Sequence, residues 1–230
     1  MSWFNSFINS SIGNKLLMSF TGLFLSLFLV VHLAGNLQLL INDGGESFVA
    51  YVEVMESNIL IKIVAYGLYL AILAHTVKGV MIFVKNRQAR GGMGYAVKAT
   101  SGTSWASRNM IWLGSFLFIF IAIHMANFWY YFKFGGLHDV EFYTKVQVAF
   151  KELWIVIFYV VAQVALGWHL LHGFQSAFQT LGLRHGKYDR LIKVSGIAFS
   201  IIVPLLFAII PIFMYFDFYP LGEFKVIPGQ

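Results

Sequence analysis

The sequence predicts an all-α membrane protein with five transmembrane helices and no separate soluble domain. Of its 230 residues, 59% are hydrophobic and only 11% are charged, whereas about a quarter of the residues in soluble domains are charged. Five apolar stretches are long enough to cross about 30 Å of hydrocarbon as helices, and no alternating pattern typical of membrane strands occurs. The predicted spans cover residues 16–41, 59–83, 110–130, 153–178 and 194–216.

The last of these spans differs from the first four. Each of the first four contains at least one histidine, whereas the fifth contains Pro204 and Pro211 instead. Proline removes one helical hydrogen bond and should kink the fifth span. Neighbouring helices in a bilayer can satisfy the carbonyl groups that such a kink frees.

The charges of the loops predict the orientation of the chain. Segment 85–108 contains five basic residues and no acid, and the loop before the fifth span contains four basic residues against Asp189 alone. Loop 42–58 is acidic. Because basic loops stay in the cytoplasm, the N-terminus is predicted inside and the C-terminus outside. The net charge of +6 therefore indicates orientation and not nucleic-acid binding.

Histidines lie deep within the first four spans. An ionisable side chain at such depth is expensive and marks a candidate functional site. Because consecutive spans run antiparallel, two histidines are expected at an inner level and two at an outer level. The predicted inner pair is His75 with His169, and the predicted outer pair is His32 with His124.

Two facing histidines at each level predict two haem b groups. Neutral imidazole is a good axial ligand of haem iron, and a porphyrin supplies apolar bulk for the centre of a four-helix bundle. Zinc would need three or four ligands at one level. The chain has no Cys, which excludes iron–sulfur clusters and c-type haem attachment. The first four spans are therefore predicted to form a haem-binding bundle.

Several glycines keep register with these histidines. Gly22 and Gly114 each lie ten residues before the histidine of their own span, which places them at the level of the inner pair. Close helix packing would be the simpler explanation of any one glycine, but their joint register predicts room for a porphyrin. The glycines in this register are Gly22, Gly67, Gly79, Gly114 and Gly173.

The fourth span offers two candidates for the inner iron. His172 lies three residues after His169, which is less than one helical turn. We expect His169 to be the ligand because its depth matches that of His75 better. His172 would then hydrogen-bond a haem propionate or a backbone carbonyl.

On these residues the chain resembles the cytochrome b subunit of succinate:quinone oxidoreductases, in the five-helix, dihaem form called the b558 type. The resemblance covers nearly the whole chain and depends on the histidines of the first four spans and the stretch HLLHGFQSAFQTLG. In that family the fourth-span ligand lies thirteen residues before a glycine. His169 and Gly182 keep this spacing, whereas His172 does not. The same two histidine pairs are implied.

The resemblance implies an electron-transferring anchor in a bacterial cytoplasmic membrane. A flavoprotein and an iron–sulfur subunit would bind its cytoplasmic face and interconvert succinate and fumarate, as succinate dehydrogenase or fumarate reductase. The haems would pass electrons to or from a quinone, expected to be menaquinone. This chain would itself do no chemistry on succinate. Whether the complex dimerises is left open.

Further site residues follow from the resemblance alone. Glu53 or Glu56 would lie at the quinone site, although a solvated loop acid is the simpler interpretation of each. Gly167 stands where some fumarate-reducing members carry a glutamate, so a proton route through that position is not expected. Contacts to haem propionates at the cytoplasmic edge are implied for Lys15, Ser19 and Trp105, which equally suit interface anchors.

Two other functions stay open on the sequence. The chain could be the dihaem cytochrome b of another respiratory complex, serving a hydrogenase or a formate dehydrogenase. It could also be a haem-free transporter or assembly protein that uses its histidines for packing or as relay groups. The second alternative predicts a colourless purified protein.

Overall fold

A computed structural model describes residues 7, 10–90, 105–135 and 139–216. Within these residues all regular structure is helical and no strand occurs, which confirms the predicted class. A 3₁₀ turn, Gln38–Leu40, follows the first helix, and a π-helical segment, Met125–Trp129, joins the fourth to the fifth. The α-helices are α1 (Ser11–Leu37), α2 (Glu46–Ser57), α3 (Ile59–Arg90), α4 (Trp105–His124), α5 (Tyr130–Phe134), α6 (Asp139–Ala149), α7 (Leu153–Thr180) and α8 (Asp189–Tyr215).

Five helical segments are long and apolar enough to cross a membrane, which confirms the predicted number of spans. Each extends beyond the predicted apolar stretch at one end or both, because polar residues continue the helix beyond the residues that would lie in the hydrocarbon of a bilayer. Large apolar side chains such as Leu70 and Trp112 are 69% and 73% exposed, as expected of a lipid-facing surface. The segments are Ser11–Leu40, Ile59–Ala89, Trp105–Phe134, Leu153–Thr180 and Asp189–Tyr215.

Two short helices lie in segments that the sequence analysis treated as loops. The Asp43 carboxylate caps the N-terminal end of α2. It accepts hydrogen bonds from the backbone N–H groups of Gly45 and Ser47, both at 2.9 Å. Burial alone would raise the pKa of Asp43, but these hydrogen bonds outweigh burial and hold the pKa below its ordinary value. The buried Phe48 of α2 packs against α6, with its ring 6.0 Å from that of Phe142.

The described residues form two compact units. The first contains residues 7, 10–28, 66–90, 105–118 and 165–202, and the second contains residues 29–65, 119–135, 139–164 and 203–216. Long helices contribute residues to both units, since the boundaries fall within α1, α3, α4, α7 and α8. Each predicted histidine pair lies within a single unit, so each can be described by itself.

The fifth span is one continuous helix, α8, which runs through both Pro204 and Pro211. Both prolines are buried. The Lys151 ammonium donates a hydrogen bond to the carbonyl of Met214 at 3.0 Å. A lysine that satisfies one of the last carbonyl groups stabilises the C-terminal end of a helix.

Candidate functional site: two histidine pairs

In the first unit, His75 of α3 faces His169 of α7. Their ring centroids are 6.1 Å apart and their planes meet at 61°. Two imidazoles that bind one metal ion through nitrogen bonds of about 2 Å would lie at about this spacing. Edge-to-face pairs of rings lie at the same spacing without a metal, so the distance allows a shared ion but does not require one.

In the second unit, His32 of α1 faces His124 of α4. Their ring centroids are 5.8 Å apart and their planes are nearly perpendicular, at 87°. The ring of Phe207, on α8, lies 5.7 Å from His32, and that of Phe128 lies 5.5 Å from His124. The contact with α8 was not predicted, because the sequence analysis assigned the site to the first four spans alone.

One histidine of each pair is held by a hydroxyl group from a neighbouring helix. The Thr21 hydroxyl of α1 lies 3.1 Å from Nδ1 of His75. The Tyr159 hydroxyl of α7 lies 3.1 Å from Nδ1 of His124. A partner at Nδ1 orients an imidazole that binds a metal through its other nitrogen. Neither hydroxyl contact was predicted from the sequence.

The other two histidines have different surroundings. Nδ1 of His169 is buried and makes no hydrogen bond within the described part of the chain. An unpaired buried nitrogen costs about 1–3 kcal/mol, so this atom is suited to a further partner. The Asn36 side-chain amide lies 3.4 Å from Nδ1 of His32 and donates to the His32 carbonyl at 2.8 Å.

His172 does not take the place of His169 in this arrangement. It lies on the same helix and is half-buried. It makes no ring contact with His75 among the described residues, whereas His169 does. The structure therefore brings the expected fourth-span histidine, and not its neighbour, to the ring of His75.

Two of the predicted clearance glycines lie directly against the first pair. A Cβ atom added to Gly22 would lie 3.4 Å from Cε1 of His75. A Cβ atom added to Gly114 would lie 3.7 Å from Cε1 of His169. Both distances are ordinary van der Waals contacts, so the imidazoles alone would tolerate alanine at either position.

The remaining clearance glycines face open space. An added Cβ would meet no atom within 4 Å at Gly67 or Gly173, and only the Met18 side chain, at 3.8 Å, at Gly79. By contrast, the Phe174 ring would lie 2.8 Å from a Cβ at Gly196. Close helix packing therefore explains Gly196, and contact with an imidazole from a neighbouring helix explains Gly22 and Gly114. It does not explain Gly79, Gly173 or the exposed Gly67.

Of the residues implied at the cytoplasmic edge, Ser19 contacts Lys15, and Trp105 contacts another tryptophan. The buried Ser19 hydroxyl donates to the carbonyl of Lys15 at 2.9 Å, and the Lys15 side chain is exposed. The ring of Trp105 lies 5.6 Å from that of Trp168. Trp168 directly precedes His169, so only Trp105 is linked by these contacts to a residue beside the first pair.

A cation that was not predicted lies close to the first pair in sequence. Lys78 follows His75 by three residues, which puts the two on the same side of α3. Its ammonium donates to the side-chain oxygen of Asn14 at 3.0 Å, and Asn14 is only 4% exposed. The spacing from His75 is a signal from which this residue could have been found.

The two acids implied at a quinone site lie on α2, not in a loop. Glu53 is exposed, whereas Glu56 forms an ion pair of 2.5 Å with Lys133. Their place on a helix corrects the expectation of a loop, whereas Glu53 is solvated as expected. Because Lys133 already neutralises Glu56, Glu53 is the one of the two that stays open to a ligand.

Comparisons of the chain with protein-family models, with curated proteins and with solved structures found no match. Within the described ranges, no group of three or more His, Cys, Asp or Glu side chains is placed to hold a metal ion. The family suggested by the sequence therefore stays a prediction, and the function is inferred from the two histidine pairs themselves.

Proposed function

We propose that this chain is a dihaem cytochrome b that anchors a succinate:quinone oxidoreductase in the membrane and passes electrons between an iron–sulfur subunit and quinone. The observation that carries the proposal is the spacing of the two histidine pairs, 6.1 Å and 5.8 Å between ring centroids. Both values fit two imidazoles on opposite sides of one iron. Five membrane-spanning helices support the role of an anchor.

In this proposal, His75 and His169 hold one haem b, and His32 and His124 hold the other. Bound haem supplies reversible one-electron chemistry, while the protein sets its orientation and surroundings. Around the second pair, the apolar rings of Phe128 and Phe207 cover part of the imidazoles. The open space beside Gly173, and beside Gly79 apart from the Met18 side chain at 3.8 Å, is a further feature that suits a bulky group in the first unit.

Lys78 is the residue best placed to hold a porphyrin carboxylate near the first pair. Its ammonium keeps donor capacity beyond the hydrogen bond to Asn14, and a carboxylate would neutralise it in apolar surroundings. Lys15, implied by the resemblance, is exposed and less suited to this role. His172, three residues after His169, is a second candidate for a propionate contact.

The loop between α7 and α8 is proposed as part of the seat for the iron–sulfur subunit. Asp189 pairs with Arg184 at 2.6 Å and with Lys193 at 2.6 Å. Lys187 and Arg190 are exposed. These two cations are therefore available to an acidic partner surface on the cytoplasmic side. The other basic loop includes residues 91–104, which lie outside the described residues.

Haem analysis of the detergent-purified protein tests the proposal. A pyridine haemochrome assay should find two haem b per chain. His75→Ala and His169→Ala should each remove one optical component, and His32→Ala and His124→Ala should each remove the other. His185→Ala, which changes an exposed loop histidine, should keep both. A colourless wild-type protein would instead favour a haem-free transporter or assembly protein.

Co-purification identifies the complex. A large covalent-flavin polypeptide together with an iron–sulfur polypeptide supports the proposed function. A metallo-hydrogenase or a formate dehydrogenase in their place would overturn the assignment to succinate and fumarate, while leaving the two haems intact. The quinone, proposed to be menaquinone, is then tested by reduction of the haems with menaquinol in the purified complex.

A further inference from the structure

The hydroxyl group of Thr21 has only one hydrogen, and a backbone carbonyl accepts it. Thr21 Oγ1 lies 2.7 Å from the carbonyl oxygen of Leu17, one helical turn earlier, and 3.2 Å from that of Met18. A carbonyl can only accept, so the hydroxyl must be the donor in this contact. The shorter distance, to Leu17, is that of a well-formed hydrogen bond.

The direction of this bond decides the direction of the next one. Thr21 Oγ1 also lies 3.1 Å from Nδ1 of His75, on the neighbouring helix α3. With its hydrogen donated to Leu17, the oxygen is left to accept from His75. We infer from this arrangement that Nδ1 of His75 carries the proton. In a neutral imidazole this leaves the lone pair on Nε2, which is the state that binds a metal through Nε2.

We propose that Thr21 is a positioning residue that fixes the metal-binding tautomer of His75 and lowers the reduction potential of the haem held by His75 and His169. The inference rests on the proposed function. An acceptor at Nδ1–H increases electron density at Nε2. Stronger donation from Nε2 stabilises ferric over ferrous iron, so the potential falls.

The two histidines proposed to hold this haem differ in whether Nδ1 has a hydrogen-bond partner. Nδ1 of His169 makes no hydrogen bond within the described residues. Among the described residues, polarisation by a protein acceptor therefore comes from the His75 side alone. Gly22, next to Thr21, lies beside the same ring edge, because an added Cβ would be 3.4 Å from Cε1 of His75.

Three substitutions on α1 separate this role from a general effect on packing. Thr21→Val keeps the shape of the side chain and removes the acceptor. Thr21→Ser keeps the oxygen. Ser26→Ala is the matched control, because the Ser26 hydroxyl makes the same kind of bond, to the carbonyl of Gly22 at 2.9 Å, on the same helix. Redox titration of the purified protein, followed by optical and low-spin EPR signals, gives the midpoint potential of each haem.

We expect Thr21→Val to raise the midpoint potential of the component that His75→Ala removes, and to leave the other component unchanged. Thr21→Ser and Ser26→Ala should both give wild-type potentials. An unchanged potential in Thr21→Val with full haem content would overturn the inference, and so would equal shifts of both components. If Thr21→Val binds no haem at that site, Thr21→Ser decides: a shifted potential there overturns the inference, and a wild-type potential supports it.

This experiment also distinguishes the inference from the proposed function. A wild-type protein without haem would refute the proposed function. A wild-type protein with two haems, of which neither potential responds to Thr21→Val, would refute only the role of Thr21.

Discussion

The hydroxyl of Tyr159 lies 3.1 Å from Nδ1 of His124 and so links α7 to the last residue of α4. Tyr159 is buried among aromatic rings, including that of Phe120 at 5.0 Å. If His124 binds iron through Nε2, its Nδ1–H needs an acceptor, and among the described residues the Tyr159 oxygen lies within hydrogen-bond distance of it.

Tyr159→Phe should therefore weaken haem binding at the His32–His124 pair. Removing the acceptor leaves a buried N–H unpaired, which costs about 1–3 kcal/mol. We expect faster haem loss from that site, or a raised midpoint potential, measured as the change in one optical component. Tyr66→Phe is the control, since Tyr66 is 70% exposed. Equal haem retention and potential in Tyr159→Phe and the wild type would contradict the prediction.

The two histidines of α7 should respond differently to removal. His169→Ala should eliminate one haem, because His169 is the residue whose ring faces His75. His172→Ala should keep both haems, with at most a shift in one spectrum from a lost hydrogen bond. Haem content per chain, determined by pyridine haemochrome, checks this. The opposite result, with both haems in His169→Ala and one in His172→Ala, would move the ligand to His172.

Gly22 and Gly114 should limit haem binding without limiting folding. An added Cβ would make only ordinary contacts with the His75 and His169 rings, whereas the longer side chain of leucine would occupy the space beside these rings that a porphyrin needs. Gly22→Leu and Gly114→Leu should each lower the haem content of the His75–His169 pair while the helical circular dichroism stays near that of the wild type.

Gly196 provides the contrast for these variants. Phe174 fills the space beside it, at 2.8 Å from an added Cβ, so Gly196→Ala should lower the thermal stability by overpacking, with no preference for one haem. If Gly22→Leu and Gly114→Leu lose stability and both haems together, as expected for Gly196→Ala, their role is ordinary packing.

Asp43 should stabilise α2 in a pH-dependent manner. Its carboxyl pKa lies below the ordinary value of 3.8, so its contribution to folding is complete above that value and disappears as the pH falls through and below it. Asp43→Ala should lower the free energy of unfolding by about 0.5–1 kcal/mol near neutral pH. This is the lower end of the range for a lost helix cap, because the carboxylate is partly exposed. Thermal unfolding of both proteins at neutral pH and near pH 3 measures the difference.

The difference between Asp43→Ala and the wild type should be smaller at the acidic pH. Asp43→Asn keeps one acceptor oxygen without the charge and should fall between them. An equal difference at both pH values would show that the carboxylate charge has no part in holding α2.

The sequence was sufficient for the five spans but not for the details of the site. Hydrophobic length is a local property, so the spans follow from composition. Helix α2 was missed because its acids resembled a solvated loop, although Phe48 and Val52, four residues apart and both buried, mark one face of a helix. Thr21 and Tyr159 could not be found in the same way, because their contacts depend on how two helices are rotated about their own axes.

The π-helical segment Met125–Trp129 has a consequence for how the third span can change over time. A π turn accommodates one more residue than an α turn, so the side chains after it are rotated by about 100° from their positions in a regular helix. Here that rotation lets Phe128 lie 5.9 Å from Phe150, while His124, just before the wide turn, faces His32. Deleting one residue from the segment would restore regular winding and turn the residues after it by about 100° relative to His124. Because the Phe128 ring also lies 5.5 Å from His124, such a deletion during evolution would change the surroundings of the imidazole together with the aromatic packing.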